Sequence, residues 1–406
     1  MLEHSPPLPL TIDYYSEDGI TAEDEEGVYL ALGKRDRVRH LRLAFPVQNL
    51  RELVLAIDEQ FPILEYLILG PTIEDSTDLK LPETLQAPNL HHLKLRSFAC
   101  PIRPRLHPTA IGLVTLYLTI NHPSAFFQPN VLLQWISFMS QLETLAILFT
   151  FPVPNREVKR QLPHTPNITL PSLRLFWFRG VSAYLEAVIC RLTTPLLEDL
   201  QIQFFLELTL SVPSLPQFMN TAENLRFDRA TLDFTDEKFK LVMSSRGVKT
   251  HPFVVSVDCW HLDWQVSSVA QICNTLGQEF SPLEHLALRH KVHVQSSEDH
   301  DDVDRIEWRN LLRSFSNVTT LSIEDGLVEG LSRCLRLEDG ELPLELLPEL
   351  NELTYFGSRD AGGAFTSFIN SRRDADRPVV LHKLDGEEAR RIIQQVADDV
   401  DQVKRS

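Results

Sequence analysis

One phrase returns along this 406-residue chain and limits what it can fold into. It reads apolar-x-x-apolar-x-apolar: "VRHLRLAF" at 38, "LEYLILGP" at 64, "LHHLKLRS" at 90, "LVTLYLTI" at 113, "LETLAILF" at 142 and "LRLFWFRG" at 173. It continues as "LEDLQIQF" at 197, "AENLRFDR" at 222, "LEHLALRH" at 283, "VTTLSIED" at 318 and "LNELTYFG" at 350. Successive starts lie 23 to 35 residues apart, apart from one gap of 61 that contains a further alternating run, "FVVSVDCW" at 253–260. Alternate apolar residues within each phrase fit a half-buried strand.

Between the phrases the period changes from 2 to about 3.6. "PVQNLRELVLAIDEQ" (46–60) puts Val47, Leu50, Val54 and Ile57 on one helical face, and "PNVLLQWISFMSQ" (129–141) does the same with Leu132, Trp135, Ile136 and Met139. Helices are likewise predicted in 182–192, 236–245, 267–280 and 304–315. Strand, loop, helix, loop is the unit, which is the leucine-rich-repeat pattern. The expected fold is α/β: a leucine-rich-repeat solenoid, or horseshoe, of about a dozen irregular repeats with a parallel concave sheet and convex helices. Residues 1–385 form the repeat domain, with a strand near 8–15 capping one end. An amphipathic helix in 386–406 caps the other or packs on a partner.

Charge narrows the function. A formal net charge of −17 repels phosphate backbones, so no nucleic-acid partner is expected. No run approaches the roughly 18 apolar residues of a membrane helix, and no membrane role is expected. Five scattered cysteines without a CxxC pair suit a reducing compartment, cytoplasmic or nuclear, with the thiols as small core hydrophobes. The sequons at Asn167 and Asn317 are then chance occurrences.

The stretch "CWHLDW" (259–264) carries a thiol, an imidazole and a carboxylate. On a strand, Cys259, His261 and Asp263 would be spaced by steps of about 6.6–6.8 Å, too far for a nucleophile–base hydrogen bond. If the strand ends there, Asp263 belongs to the start of the next helix. Either way Cys259 continues the inward face of Val255 and Val257. The acidic "SSEDHDDVD" (296–304) lacks the order, glycine and terminal glutamate of a calcium loop, and "SEDGITAEDEEG" (16–27) reads as a solvated acidic loop. His285, His290, His293 and His300 do not converge as zinc ligands. Phosphate-binding and hydrolase motifs are absent, so no catalytic residue, cofactor or metal is assigned. A hydrolase or transferase site in lateral loops is the rival reading.

The outward positions of the strands offer a surface instead. Arg42, Tyr66, Lys94, Arg96, Tyr117, Leu148, Trp177, Arg179, Asp199 and Arg226 are the predicted protein-binding residues of the concave face. His40 and His92 share that phase. The first rungs are basic, the middle ones aromatic around Tyr117 and Trp177, and later ones carry Asp199, Asp228 and Asp258. Exposed aromatics beside charges resemble an interface anchor; the competing reading makes them core covered by loops. The expected partner is a protein, bound by a monomer.

"SPPLPLTIDYYSEDG" (5–19), "RDRVRHLRLAFP" (35–46), "FPILEYLILGP" (61–71), "QAPNLHHLKLRSF" (86–98), "TTPLLEDLQIQFF" (193–205), "AENLRFDRATLDF" (222–234) and "SPLEHLALRH" (281–290) together resemble the repeat region of fungal F-box/leucine-rich-repeat proteins. The resemblance implies a substrate receptor of a ubiquitin ligase, in which an F-box binds a Skp-type adaptor. No helical F-box precedes the first rung here, so the adaptor is expected only if one lies upstream. The chain is then a fragment, or a free-standing scaffold uncoupled from ubiquitination. The asparagine that commonly follows the strand in such repeats occurs only at Asn121, so uneven repeats are expected.

Overall fold

The computed structural model describes residues 8–17, 19–57, 59–72, 79–82, 85–99, 111–153, 167–207, 209–245, 253–291, 305–337, 345–356 and 363–384. The acidic stretch 296–304, His293, His300, Cys100 and the expected helix of 386–406 lie outside them. The chain divides into two compact units: Met1–Phe205 with Val212–Leu225, and Leu206–Ser211 with Arg226–Ser406.

Unit 1 is a parallel ladder built by the repeated phrase. In chain order its main elements are β1 (Leu10–Tyr15), α1 (Ala22–Leu32), β2 (Val38–Phe45), α2 (Val47–Ala56), β3 (Tyr66–Pro71), β4 (His92–Arg96) and β5 (Thr115–Ile120). Then come α3 (Pro129–Ile136), β6 (Thr144–Phe149), β7 (Leu175–Gly180), α4 (Ser182–Ile189), β8 (Asp199–Phe204) and α5 (Leu215–Asn220). Strands β1 to β8 pair in sequence order, each parallel to the next. Their register explains the phrase. Leu41, Leu67, Leu93, Leu116, Leu145, Phe176 and Leu200 are matched partner to partner and all buried. The next inward row, from Leu43 to Ile202, is buried in the same way. Each rung's apolar side chains therefore rest on those of its neighbours, which a single repeat could not achieve alone.

The inter-strand helices turn their apolar stripes inward. Val47, Leu50, Leu53 and Val54 of α2 are buried, as are Leu132, Leu133, Trp135 and Ile136 of α3, which starts with Pro129 where no intrahelical N–H is needed. Tyr184 of α4 is fully buried among Phe149 and Phe178, and its hydroxyl donates to the Phe127 carbonyl at 3.2 Å.

Two expectations fail in unit 1. Residues 22–32 are a helix, not part of a solvated acidic loop. Thr21 caps it, its hydroxyl accepting from Asp24 N (3.2 Å) and donating to Asp24 Oδ2 (2.8 Å), and Glu23, Asp24 and Glu25 face the positive end of the helix dipole. The Tyr14 hydroxyl also donates to Asp24 (2.7 Å), tying α1 to β1, and these hydrogen bonds hold the Asp24 carboxyl below its usual range. Second, the phrase at 222 is not a strand. Ala222, Leu225 and Phe227 are buried, but in a turn in which Leu225 N donates to Ala222 O.

Unit 2 departs from the simple ladder. It contains β9 (Arg229–Thr235), β10 (Lys238–Ser244), β11 (Phe253–Asp258), α6 (Leu262–Leu276) and β12 (His285–Lys291). These lead to α7 (Arg305–Arg313), β13 (Thr320–Glu324), α8 (Asp325–Leu335), β14 (Glu352–Phe356), α9 (Thr366–Asp374) and β15 (Val380–Leu384). The sheet order is β11-β10-β9-β12-β13-β14-β15. From β9 through β15 the pairings are parallel, but β10 runs antiparallel to both β9 and β11. The helix expected in 236–245 is thus a strand. Phe239, Leu241 and Met243 alternate inward, and the hairpin partner β9 fixes that period.

The CWHLDW stretch is a strand end and a helix start. Cys259 follows β11 and is fully buried; its thiol donates to the His261 carbonyl, not the ring (3.7 Å). His261 occupies the N-cap position of α6, and Asp263 lies in its first turn. Burial pushes the Cys259 thiol pKa up, opposite to what a nucleophile requires.

Candidate functional site

Because the strands of unit 1 are in register, their outward side chains form rows across the open face. The first row runs Thr11, His40, Tyr66, His92, Thr115, Thr144, Leu175, Asp199. His40, Tyr66 and His92 stack as a column, with ring centroids 3.8 and 4.2 Å apart. His92 Nδ1 then lies 3.0 Å from the Thr115 hydroxyl, in hydrogen-bond contact. Burial, with repulsion from His91, Lys94 and His40, holds His92 below its ordinary pKa, while Glu65 opposes.

The second row is Asp13, Arg42, Ile68, Lys94, Tyr117, Ala146, Trp177, Gln201. Tyr117 and Trp177 come from strands two apart, yet their rings meet edge to face at 6.0 Å. Ala146, directly between them in register, is fully buried on what would otherwise be an open face. The two rings lean together over the methyl group, and each remains partly exposed. The Lys94 ammonium stands 5.5 Å from the Tyr117 ring centre, a cation–π contact that extends the aromatic patch into the basic strands. Burial raises the Tyr117 pKa, with Arg96 opposing.

The third row places small residues beside large ones again. Tyr15 pairs with Ala44, and Ala44 with Gly70. A Cβ on Gly70 would stand 2.7 Å from Arg96 Cβ and 3.5 Å from its Cγ and Cδ, so the Arg96 stem lies over the bare backbone. Arg96 and Arg42 both act on the Tyr15 hydroxyl, whose pKa is nonetheless raised, first by its hydrogen bond to Glu17. Arg42, Lys94 and Arg96 are exposed, and Arg42 is 3.6 Å from Asp13. Further along, the Arg179 guanidinium packs 5.4 Å from the Phe205 ring centre.

The structure thus gathers Arg42, Tyr66, Lys94, Arg96, Tyr117, Trp177 and Arg179 on one face of unit 1. Three proposed contact residues do not join them as open groups. Leu148 is buried in the third row between Thr119 and Arg179. Asp199 is 5% exposed, and the Gln201 amide donates to both its oxygens at 3.1 Å, so it is an internal acceptor. Arg226 is exposed but sits in the turn before β9, in unit 2. Asp228 lies in that turn too. Of the acids expected to flank this face, Asp199 is closed off and Asp228 and Asp258 belong to unit 2; among the described residues the face presents the basic strands, with Asp13 beside Arg42, and the aromatic pair. Sequence reasoning put Ala146 in the outward phase without seeing its part and missed Gly70; these small residues let their neighbours converge. Their signal was an alanine or glycine in the outward phase of a strand.

Among the described residues, no group of three or more His, Cys, Asp or Glu is placed to hold a metal, and no helix is long and apolar enough to cross a membrane. Cys190 is exposed, whereas Cys259, Cys273 and Cys334 are buried.

Taken from its own ladder, the chain is an α/β repeat protein with leucine-rich rungs. No family model matches it, and no curated protein does. One similar solved structure is that of the leucine-rich repeat-containing protein LegL7 from Legionella pneumophila, 8% identical over 92% of each chain, with a TM-score of 0.29.

Proposed function

We propose that this protein is a non-catalytic recognition module that binds a partner protein on the open sheet face of unit 1. The observation that carries this reading is the Tyr117–Trp177 pair, closed over Ala146 and bordered by Lys94. Aromatic rings supported from beneath by a buried methyl group lose little freedom on binding, and such groups dominate interface energetics. The exposed Arg42, Lys94 and Arg96 beside them favour a partner that places an apolar side chain next to carboxylates.

The test is partner capture with the whole chain and then with variants. Trp177→Ala should weaken binding by about 2 kcal/mol or more while the fold persists. Arg42→Ala or Lys94→Ala should act less strongly and mainly through the association rate. Normal binding by Trp177→Ala would move the docking site elsewhere. Following the F-box resemblance, the partner is a ubiquitination substrate. That narrower form is tested by asking whether a Skp-type adaptor co-purifies with the protein.

A further inference from the structure

Two tryptophans stand in solvent where β11 gives way to α6. Trp260 is 75% exposed and Trp264 52%. Their backbone is firmly held. Cys259 N donates to the Glu237 carbonyl at 2.7 Å. The side chain of Gln265, itself buried, donates to the carbonyls of Thr235 and Cys259, each at 2.7 Å. One amide thereby ties together the β9–β10 turn, the end of β11 and the first turn of α6. The His261 ring meets Trp264 edge to face at 5.1 Å. Folding gains little from large rings left in water, whereas rigidly mounted, exposed aromatics are what a binding anchor requires.

The surrounding charge indicates the kind of partner. Residues 235–240 and 258–265 carry Asp236, Glu237, Asp258 and Asp263 against Lys238 and Lys240, with Lys238 the cross-strand neighbour of Asp258, so acid remains in excess. Indole faces are electron-rich, and carboxylates around them add to the attraction for a cation. An anionic membrane surface, which exposed tryptophans alone would suit, is repelled by the same carboxylates.

We propose that Trp260 and Trp264, within this acidic surround, form a second docking surface, on unit 2, for an arginine-bearing peptide segment of a partner protein. It rests on different residues from the face of unit 1 and stands independently of that reading.

The probe is a blocked peptide alternating arginine and glycine, titrated into the whole protein, with a glutamate–glycine peptide as control. The arginine peptide should shift the indole N–H resonances of Trp260 and Trp264 and bind more weakly as salt rises. Trp260→Ala with Trp264→Ala should reduce its affinity about tenfold or more. Glu237→Gln should reduce it less, and Trp177→Ala should leave it unchanged. The urea midpoint of the double variant should match the parent; a collapse of that midpoint would make the rings core and overturn the proposal. So would an equal response to the glutamate peptide, undiminished binding by the double variant, or preferential binding to anionic phospholipid vesicles. Binding that appears only after residues 386–406 are deleted would also overturn it, by making the chain's own terminus the occupant.

Discussion

Tyr117 and Trp177 touch across a strand that belongs to neither of them, and Ala146 on that strand has no exposed surface as a result. The patch is thus controlled by a residue no partner can reach. Ala146→Leu should overpack the gap, lowering stability by about 1–3 kcal/mol. It should also weaken partner binding by forcing the rings apart. Urea denaturation and a binding titration on the same sample check both effects.

Gly70 plays the same part under Arg96. A methyl group there would collide with Arg96 Cβ, which is fixed to the β4 backbone and cannot swing aside. Gly70→Ala should therefore destabilise unit 1 by about 1–3 kcal/mol, despite the usual gain from replacing a strand glycine. A urea midpoint equal to or above the parent's would refute this placement of the two strands.

The lowered pKa of His92 has a defined sign. The unfolded histidine, near 6.5, takes up its proton before the folded one as pH falls. Its contribution to stability is thus fully present above that value and is lost as pH drops through the lower folded pKa. His92→Gln should flatten the change in urea midpoint between about pH 7.5 and about pH 5.5. An unchanged slope would show that other groups set it.

In unit 2, Arg372 of α9 is 1% exposed and donates from Nη2 to the carbonyls of Pro348 and Leu350, 2.9 Å each. Methionine of similar length would fill the space but leave the buried Leu350 carbonyl and the half-buried Pro348 carbonyl without this donor. Arg372→Met should cost about 2–3 kcal/mol, read as a drop in the denaturation midpoint.

The leucine phrase made the ladder of unit 1 legible because its period, spacing and inward residues all report one rung. Tyr117 and Trp177 were legible from phase alone. Their meeting was not, since it depends on the size of the residue between them on a third strand. Asp199 had the right phase and is still closed off from solvent, its carboxylate accepting from the Gln201 amide two residues on. Residues 236–245 were misread because Phe239, Val242 and Met243 satisfy a helical spacing while Phe239, Leu241 and Met243 satisfy a strand. Only the antiparallel neighbour decides between them. The helix at 22–32 was masked by its acidic residues, although Thr21 and Asp24 form a cap that short-range reasoning could have found.

The reversed strand β10 also bears on the order in which unit 2 comes together. Parallel neighbours require a long connection to close before their first contact, but β9 and β10 are joined by Asp236 and Glu237 alone. Hairpins of this kind form in about 1–10 μs, ahead of any crossover. The Thr235 hydroxyl, which donates to the Lys238 carbonyl at 2.8 Å, clasps that turn. Later, α6 must carry the chain from β11 past β10 and β9 to β12, a displacement of about 14 Å at ordinary strand spacing. Its 15 residues span about 22 Å, length enough for the crossing. Thr235→Ala should then slow refolding more than it speeds unfolding, a ratio stopped-flow kinetics can measure. A two-residue turn in the middle of the chain is then the expected starting point for a sheet whose parallel pairings join residues far apart in sequence.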